Sequence, residues 1–257
     1  MTPGGETGGM DKTERAGEAV HDPTDIIHTH ANVTGGWLRP AVFGAMDGLV
    51  SNFALIAGVA GGVARTGGGS GTVVLAGLAG LAAGAFSMAA GEYVSVASQS
   101  ELAQAELGRE RAALIDRPAD EQEELAQLYM TRGVQPELAR QVAAQLSSHP
   151  EQALVVHARE ELGIDPADLP SPLLAAVVSF VAFAVGALWP LAPYLLGATS
   201  LTVTLVVSVL GMFAAGALVS RVTVRTWWWT GIRQLLLGGT AAALTYGFGA
   251  LVGAGLG

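Results

Sequence analysis

The chain has 257 residues, 51% of them hydrophobic and 14% charged, with 35 glycines, no cysteine and a formal net charge of -9. The lack of cysteine excludes disulfides and thiolate metal sites, and the acidic balance argues against nucleic acid as a partner. The charge is also badly mixed: residues 66–91, 172–220 and 234–257 contain no Asp, Glu, Lys, Arg or His, and residues 40–64 contain only Asp47.

Residues 1–36 are polar and Gly-rich, with no apolar run that would serve as a signal peptide, and read as a disordered cytoplasmic tail. Within it His21, Asp22, Asp25, His28 and His30 offer loose metal ligands. About 20 apolar residues cross the bilayer core, and backbone groups in lipid must bond within their own helix, so each uncharged run predicts a transmembrane helix. The first two fall near residues 38–63 and 72–98. The run at 172–220 is too long for one span and is punctuated by Pro190, Pro193 and Gly197, which predicts two helices, 172–189 and 200–220. A fifth lies near 232–255.

Lys and Arg accumulate in cytoplasmic segments. Lys12, Arg15 and Arg39 precede the first span, six arginines lie in 101–168, and Arg221, Arg225 and Arg233 follow the fourth span, leaving Arg65 alone on the other side. The amino terminus and the hydrophilic block are therefore expected in the cytoplasm and the carboxyl terminus outside. The expected divisions are the tail at 1–36, two spans at 37–100, a hydrophilic helical domain at 101–169 and three spans at 170–257. The fold class is all-α: an integral membrane protein with five transmembrane helices and a cytoplasmic helical domain between the second and third.

Residues 101–168 hold fourteen acidic and six basic side chains, a net charge of -8. The second span continues as a helix to Pro118. Asp120 with Glu123 reads as a capping box for a helix ending at Gly133. Pro136 opens another helix to about Ser147, and Pro150 opens a fourth, closed by Gly163. Leu125, Leu128 and Tyr129, with Leu138, Val142 and Leu146, are its expected core.

Carboxylates share helix faces here: Glu106 with Glu110, Glu121 with Glu124, and Glu161 four residues after His157. Like charges at these spacings repel, and a bound divalent cation reverses that cost. Oxygen ligands with one imidazole suit iron(II), manganese(II) or zinc(II) better than copper(I). The competing reading is a solvated acidic surface. In the membrane, Asp47 is the only charge in its span, a costly placement that points to function. Met88 and Glu92 lie one turn apart in the second span and offer a thioether and a carboxylate on one face. Gly44 and Gly48, Gly58 and Gly62, and Gly80 and Gly84 recur four apart, a spacing that permits close helix approach. Trp227, Trp228 and Trp229 beside Arg225 and Arg233 read as an interfacial anchor. No nucleophile, cofactor loop or HExxH motif points to an enzyme, and no cofactor is expected.

LRPAVFGAMDGLVSNFALIAGVAGG, followed by GAFSMAAGEYVSVASQSE, resembles the signature of the vacuolar iron transporter family, which includes bacterial members. The resemblance covers about residues 37–255. It implies a five-helix homodimer in the inner cell membrane, with a cytoplasmic metal-binding domain, that exports iron(II) from the cytosol in exchange for protons. Manganese(II) is the alternative cargo. The resemblance places pathway roles on Asp47 and Met88, with Glu92 added from its position, and metal-domain roles on Glu110, Glu121, Glu124 and Glu161. His157 stands where eukaryotic members have a methionine. Ala113 stands at a further family glutamate position, for which Glu106 or Glu160 would substitute, and Gly80 at a further acidic one. A membrane-tethered metal buffer or sensor is the rival of another class.

Overall fold

The computed structural model describes residues 36–66, 69–221 and 224–256. The amino-terminal tail and its histidines and aspartates lie outside the described residues. Every regular element among the described residues is an α-helix: α1 (Leu38–Thr66), α2 (Ser70–Asp116), α3 (Pro118–Thr131), α4 (Pro136–Leu146), α5 (Pro150–Glu160), α6 (Pro172–Leu195), α7 (Leu201–Val219) and α8 (Trp227–Leu256). Five of them, α1, α2, α6, α7 and α8, are long and apolar enough to cross a membrane.

Their packing is dictated by glycine. Helices in lipid gain little from the hydrophobic effect and associate through close van der Waals fit, which small residues permit. A Cβ built on Gly44 would stand 2.7 Å from the Ser179 carbonyl oxygen, and one on Gly48 would overlap the Phe183 carbonyl. From the opposite side, a Cβ on Gly186 would overlap the Ala45 carbonyl. So α1 lies backbone to backbone on α6. Its other end does the same on α8, where Gly58 meets Thr245 and Gly62 meets Gly249. The register rises together in both pairs, so α1, α6 and α8 run parallel.

In α2, by contrast, Gly77 faces Leu191 and Gly84 faces Phe183, an antiparallel register. Two side chains tie the spans together. Asn52 Nδ2 donates to the Ala187 carbonyl at 2.7 Å, and Thr245 Oγ1 donates to the Ala54 carbonyl at 2.8 Å. Leu49, Phe53 and Ala57 of α1 pack against Met212 of α7 and Ala242 of α8.

Three sequence expectations are corrected. The helix placed at 172–189 continues to Leu195, with Pro190 and Pro193 inside it. Each proline removes one backbone donor, but neighbouring helices sustain such positions in a membrane. Here Leu191 and Tyr194 pack on Ile56 and Val73. Gly197, at φ 95°, ends the helix, and the Ala198 N–H returns to the Pro193 carbonyl.

The second correction concerns α3, which starts at Pro118 with no side-chain cap, so Asp120 and Glu123 form no capping box. Proline at the first helical position needs no N–H partner and sets φ in advance. Third, Leu138 remains exposed, while Ala139 and Ala143 of α4 are buried. Small residues let α4 lie close to α3, where Leu125 and Ala126 are buried against Ala143 and flanked by Leu128, Tyr129 and Leu146.

Helix α2 is unbroken from Ser70 to Asp116 and so extends well past the apolar span. The bundle of α3, α4 and α5 packs on this extension through α3 and α5.

Gly48→Ala is expected to lower the melting temperature of the detergent-solubilised protein, at a cost of about 1–3 kcal/mol for an overpacked contact. Gly239→Ala, where a Cβ meets nothing within 4 Å, should leave it unchanged or slightly raised, because alanine favours helix. Equal melting of the two variants would contradict the backbone contact between α1 and α6.

Candidate metal centre

Glu110 on the extension of α2 meets His157 and Glu161 at the end of α5. His157 Nδ1 lies 3.0 Å from Glu110 Oε1 and 2.8 Å from Glu161 Oε1. The His157 side chain is 0% exposed, Glu110 12% and Glu161 15%. Local sequence sets this up. His157 and Glu161 are one turn apart, and Gly163, at φ 65°, lets the Ile164 N–H return to the Ala158 carbonyl and close α5 beneath them.

Despite the short distances, neither contact is aligned as a hydrogen bond, and Nδ1, Nε2 and both Oε1 atoms are buried without a hydrogen-bond partner. Buried polar atoms are normally satisfied. Three ligand atoms, one from each residue, lie within 4.8 Å of one another, a spacing that one cation can bridge.

The electrostatics agree with the geometry. Burial, followed by the charges of Glu110, Glu124 and Glu121, pushes the Glu161 carboxyl up to about 7. Glu110 is raised by burial, then by Glu121 and Glu124. Glu121 is raised by burial and by Glu124, against the opposing charge of Arg117 at 3.6 Å. Burial pushes the His157 imidazole down, against the charge of Glu124. Glu124 therefore stands close enough to act on all three converging residues and Glu121 on the two carboxylates, while their own oxygens lie outside the convergent set. This combination of neutral imidazole and crowded carboxylates is relieved by a divalent cation.

Glu106 and Glu160 are engaged elsewhere. Glu106 pairs with Arg109, and Glu160 pairs with Arg132. Neither joins the cluster.

Inside the spans, Asp47 and Ser51 of α1 share an open cleft with Ser87, Met88 and Glu92 of α2, lined also by Phe43 and Phe183. Asp47 and Ser51 are exposed on the single chain. Sequence reasoning did not include Ser51, Ser87 or Phe183. Ser51 follows Asp47 by one helical turn and Ser87 adjoins Met88, so spacing could have found both; Phe183 comes from a distant helix and left no such signal.

Five apolar spans, with a carboxylate–imidazole cluster on a helical bundle beyond them and a carboxylate–thioether cleft within, define a polytopic membrane protein equipped to handle cations. The VIT family model matches residues 38–250, and the chain belongs to that family. A vacuolar iron transporter of Acanthamoeba castellanii is 43% identical over 195 residues, 72% of this chain and 69% of that protein. Vacuolar iron transporter 1 of Oryza sativa subsp. japonica is 30% identical over 224 residues, 86% of this chain and 87% of its own length. A vacuolar iron transporter of Toxoplasma gondii is 30% identical over 240 residues, 89% and 78% of the two chains.

The raised carboxyls have a direct consequence for stability. At a pH between the ordinary glutamate value of 4.5 and about 7, folded Glu161 holds a proton that the unfolded chain has released. Its contribution is thus largest in acid and is lost as pH rises through 7. His157 acts in the opposite sense, but only below its ordinary value of 6.5. Between pH 6.5 and 8 the cation-free protein should therefore melt at progressively lower temperature. Glu161→Gln should flatten that slope and melt higher than the parent at pH 8. A parent whose melting temperature rises over this interval would contradict the crowding of these carboxylates.

Proposed function

We propose that this protein exports iron(II) from the cytosol across a cell membrane in exchange for protons, with manganese(II) as the alternative cargo. The observation that carries the proposal is the cleft of Asp47, Ser51, Met88 and Glu92 inside the apolar spans. A carboxylate in a span is expensive and has no use in a mere anchor. The relatives named vacuolar iron transporters support iron as cargo.

In this reading, Glu110, His157 and Glu161 collect the ion on the cytoplasmic side, with Glu121 and Glu124 supplying the attracting field. Asp47, Met88 and Glu92 then receive it in the membrane. Oxygen donors with one imidazole suit iron(II), manganese(II) and zinc(II). The orientation follows from the arginine distribution. Because a carboxylate binds metal well only when deprotonated, proton and metal compete for the same oxygens, which is the physical basis for exchange.

The working form is a homodimer. Asp47, Ser51 and Ser87 are exposed on one face of α1 and α2 in the single chain. Ser51 Oγ donates to the Asp47 carbonyl, but the Asp47 carboxylate facing hydrocarbon would be left unsatisfied, and a second copy of the same face would enclose it in a common path.

Proteoliposomes containing the protein should take up iron(II) or manganese(II) at a rate that depends on an opposing pH gradient, and Asp47→Ala should abolish uptake. Transport by Asp47→Ala at the parental rate would overturn the pathway assignment. Flux without any dependence on the gradient would overturn proton exchange.

A separate measurement addresses the collecting site. Anaerobic titration of the solubilised protein with iron(II), or with manganese(II) in air, should show binding that weakens below about pH 7. Loss of His157 or Glu161, as H157A or E161Q, should weaken it by roughly tenfold or more, while Glu106→Gln, whose partner is Arg109, should not. Unchanged binding in H157A and E161Q would leave the cluster as an acidic surface and nothing more.

A further inference from the structure

From residue 169 to the carboxyl terminus the chain contains no Asp or Glu, and its only charged side chains are Arg221, Arg225 and Arg233. All three are exposed. In the hydrophilic block Arg109, Arg117, Arg132, Arg140 and Arg159 each pair with a carboxylate. Among the described residues no such ion pair includes Arg221, Arg225 or Arg233. On a chain of net charge -9, these are cationic side chains that no described carboxylate pairs with.

Its position says what supplies one. Arg221 and Arg225 lie between the end of α7 and the start of α8. Trp227, Trp228 and Trp229 form the first turn of α8 and are 59%, 49% and 45% exposed. Trp227 stacks edge-on against Phe213 of α7, with ring centroids 5.9 Å apart, so the aromatic group is seated on the hairpin and not loose. Exposed tryptophans at the end of an apolar span sit at the level of lipid headgroups.

Arg233 follows Trp229 by one turn, on a stripe continued by the exposed Leu236 and Leu237. It starts roughly 9 Å below the head of the helix, from six residues at about 1.5 Å each. Side chains on a helix lean toward its amino terminus, a direction that takes the exposed Arg233 toward the Trp level. At that level the first N–H groups of α8 have no partner within the helix and carry the positive end of its dipole.

We infer that the α7–α8 end of the protein binds the phosphate headgroup of an anionic phospholipid, held by Arg221, Arg225, Arg233 and the first turn of α8, with the tryptophans against its glycerol and upper chains. Guanidinium suits phosphate through paired N–H donors. With three cations and no described carboxylate paired to them, the patch selects a headgroup of net negative charge over a zwitterionic one. Positive charge retained on one side for topology alone requires neither arginine over lysine nor a headgroup preference. The lipid site requires both.

The test is native mass spectrometry of the full chain released from mixed micelles containing equal phosphatidylglycerol and phosphatidylcholine. The parent should retain phosphatidylglycerol preferentially, and each arginine replaced by glutamine should lower that preference by about fivefold. Arg233→Lys, which keeps the charge and the topology, should also weaken it. Millimolar inorganic phosphate should not displace the bound lipid. Equal retention of the two lipids by the parent would overturn the inference whatever the variants do. Parental preference in the Arg225→Gln/Arg233→Gln double variant would overturn it as well, and displacement by free phosphate would assign the patch to a soluble anion instead.

Discussion

The approach of α1 to α6 and α8 at backbone distance is the constraint on which the rest of the structure depends. Gly44 and Gly48 allow it on one side, and Gly58 and Gly62 on the other. With no hydrophobic gain from leaving lipid, this fit and the hydrogen bonds from Asn52 and Thr245 hold the spans together. It also sets the direction of everything else on α1. Because Gly44 and Gly48 turn toward α6, Phe43, Asp47 and Ser51, one position earlier or three later on the helix, turn toward the cleft with α2. A bulky residue at Gly48 would therefore displace the costly aspartate along with the packing.

The second organising element is the continuity of α2. Met88 and Glu92 belong to its membrane portion and Glu110 to its extension, on one unbroken helix. At 1.5 Å per residue, Met88 and Glu110 stand about 33 Å apart along that rod. The cleft in the spans and the cluster beyond them are thus separate donor sets, held at fixed spacing and not parts of one pocket. In the proposed transport cycle, collection and translocation would be distinct events joined by diffusion over the intervening surface.

Charge is managed differently in the two halves of the molecule. Among the hydrophilic helices most arginines are neutralised by neighbouring carboxylates, and the surplus acid is concentrated around His157, where burial holds Glu161 near neutrality. Among the described residues, no carboxylate pairs with the arginines of the last three spans. One end of the protein therefore offers a counter-charge to cations and a different region offers one to anions.

Sequence by itself determined the spans, because a run of uncharged residues has few alternatives to a lipid-crossing helix, and it determined which carboxylates share a helix face. The glycine pairs announced close contacts, and Asp47 stood out as the lone charge in its span. Periodicity within one helix cannot tell which helix lies opposite. Glu106 and Glu110 are equivalent by spacing, yet one is taken by Arg109 and the other reaches His157. Glu160 and Glu161 are adjacent, and only the second turns into the cluster. Prolines 190 and 193 read as a break until packing on α1 and α2 showed a continuous helix. Tertiary structure alone decided these points, because burial and convergence depend on contacts between residues far apart in the chain, and no local pattern encodes them.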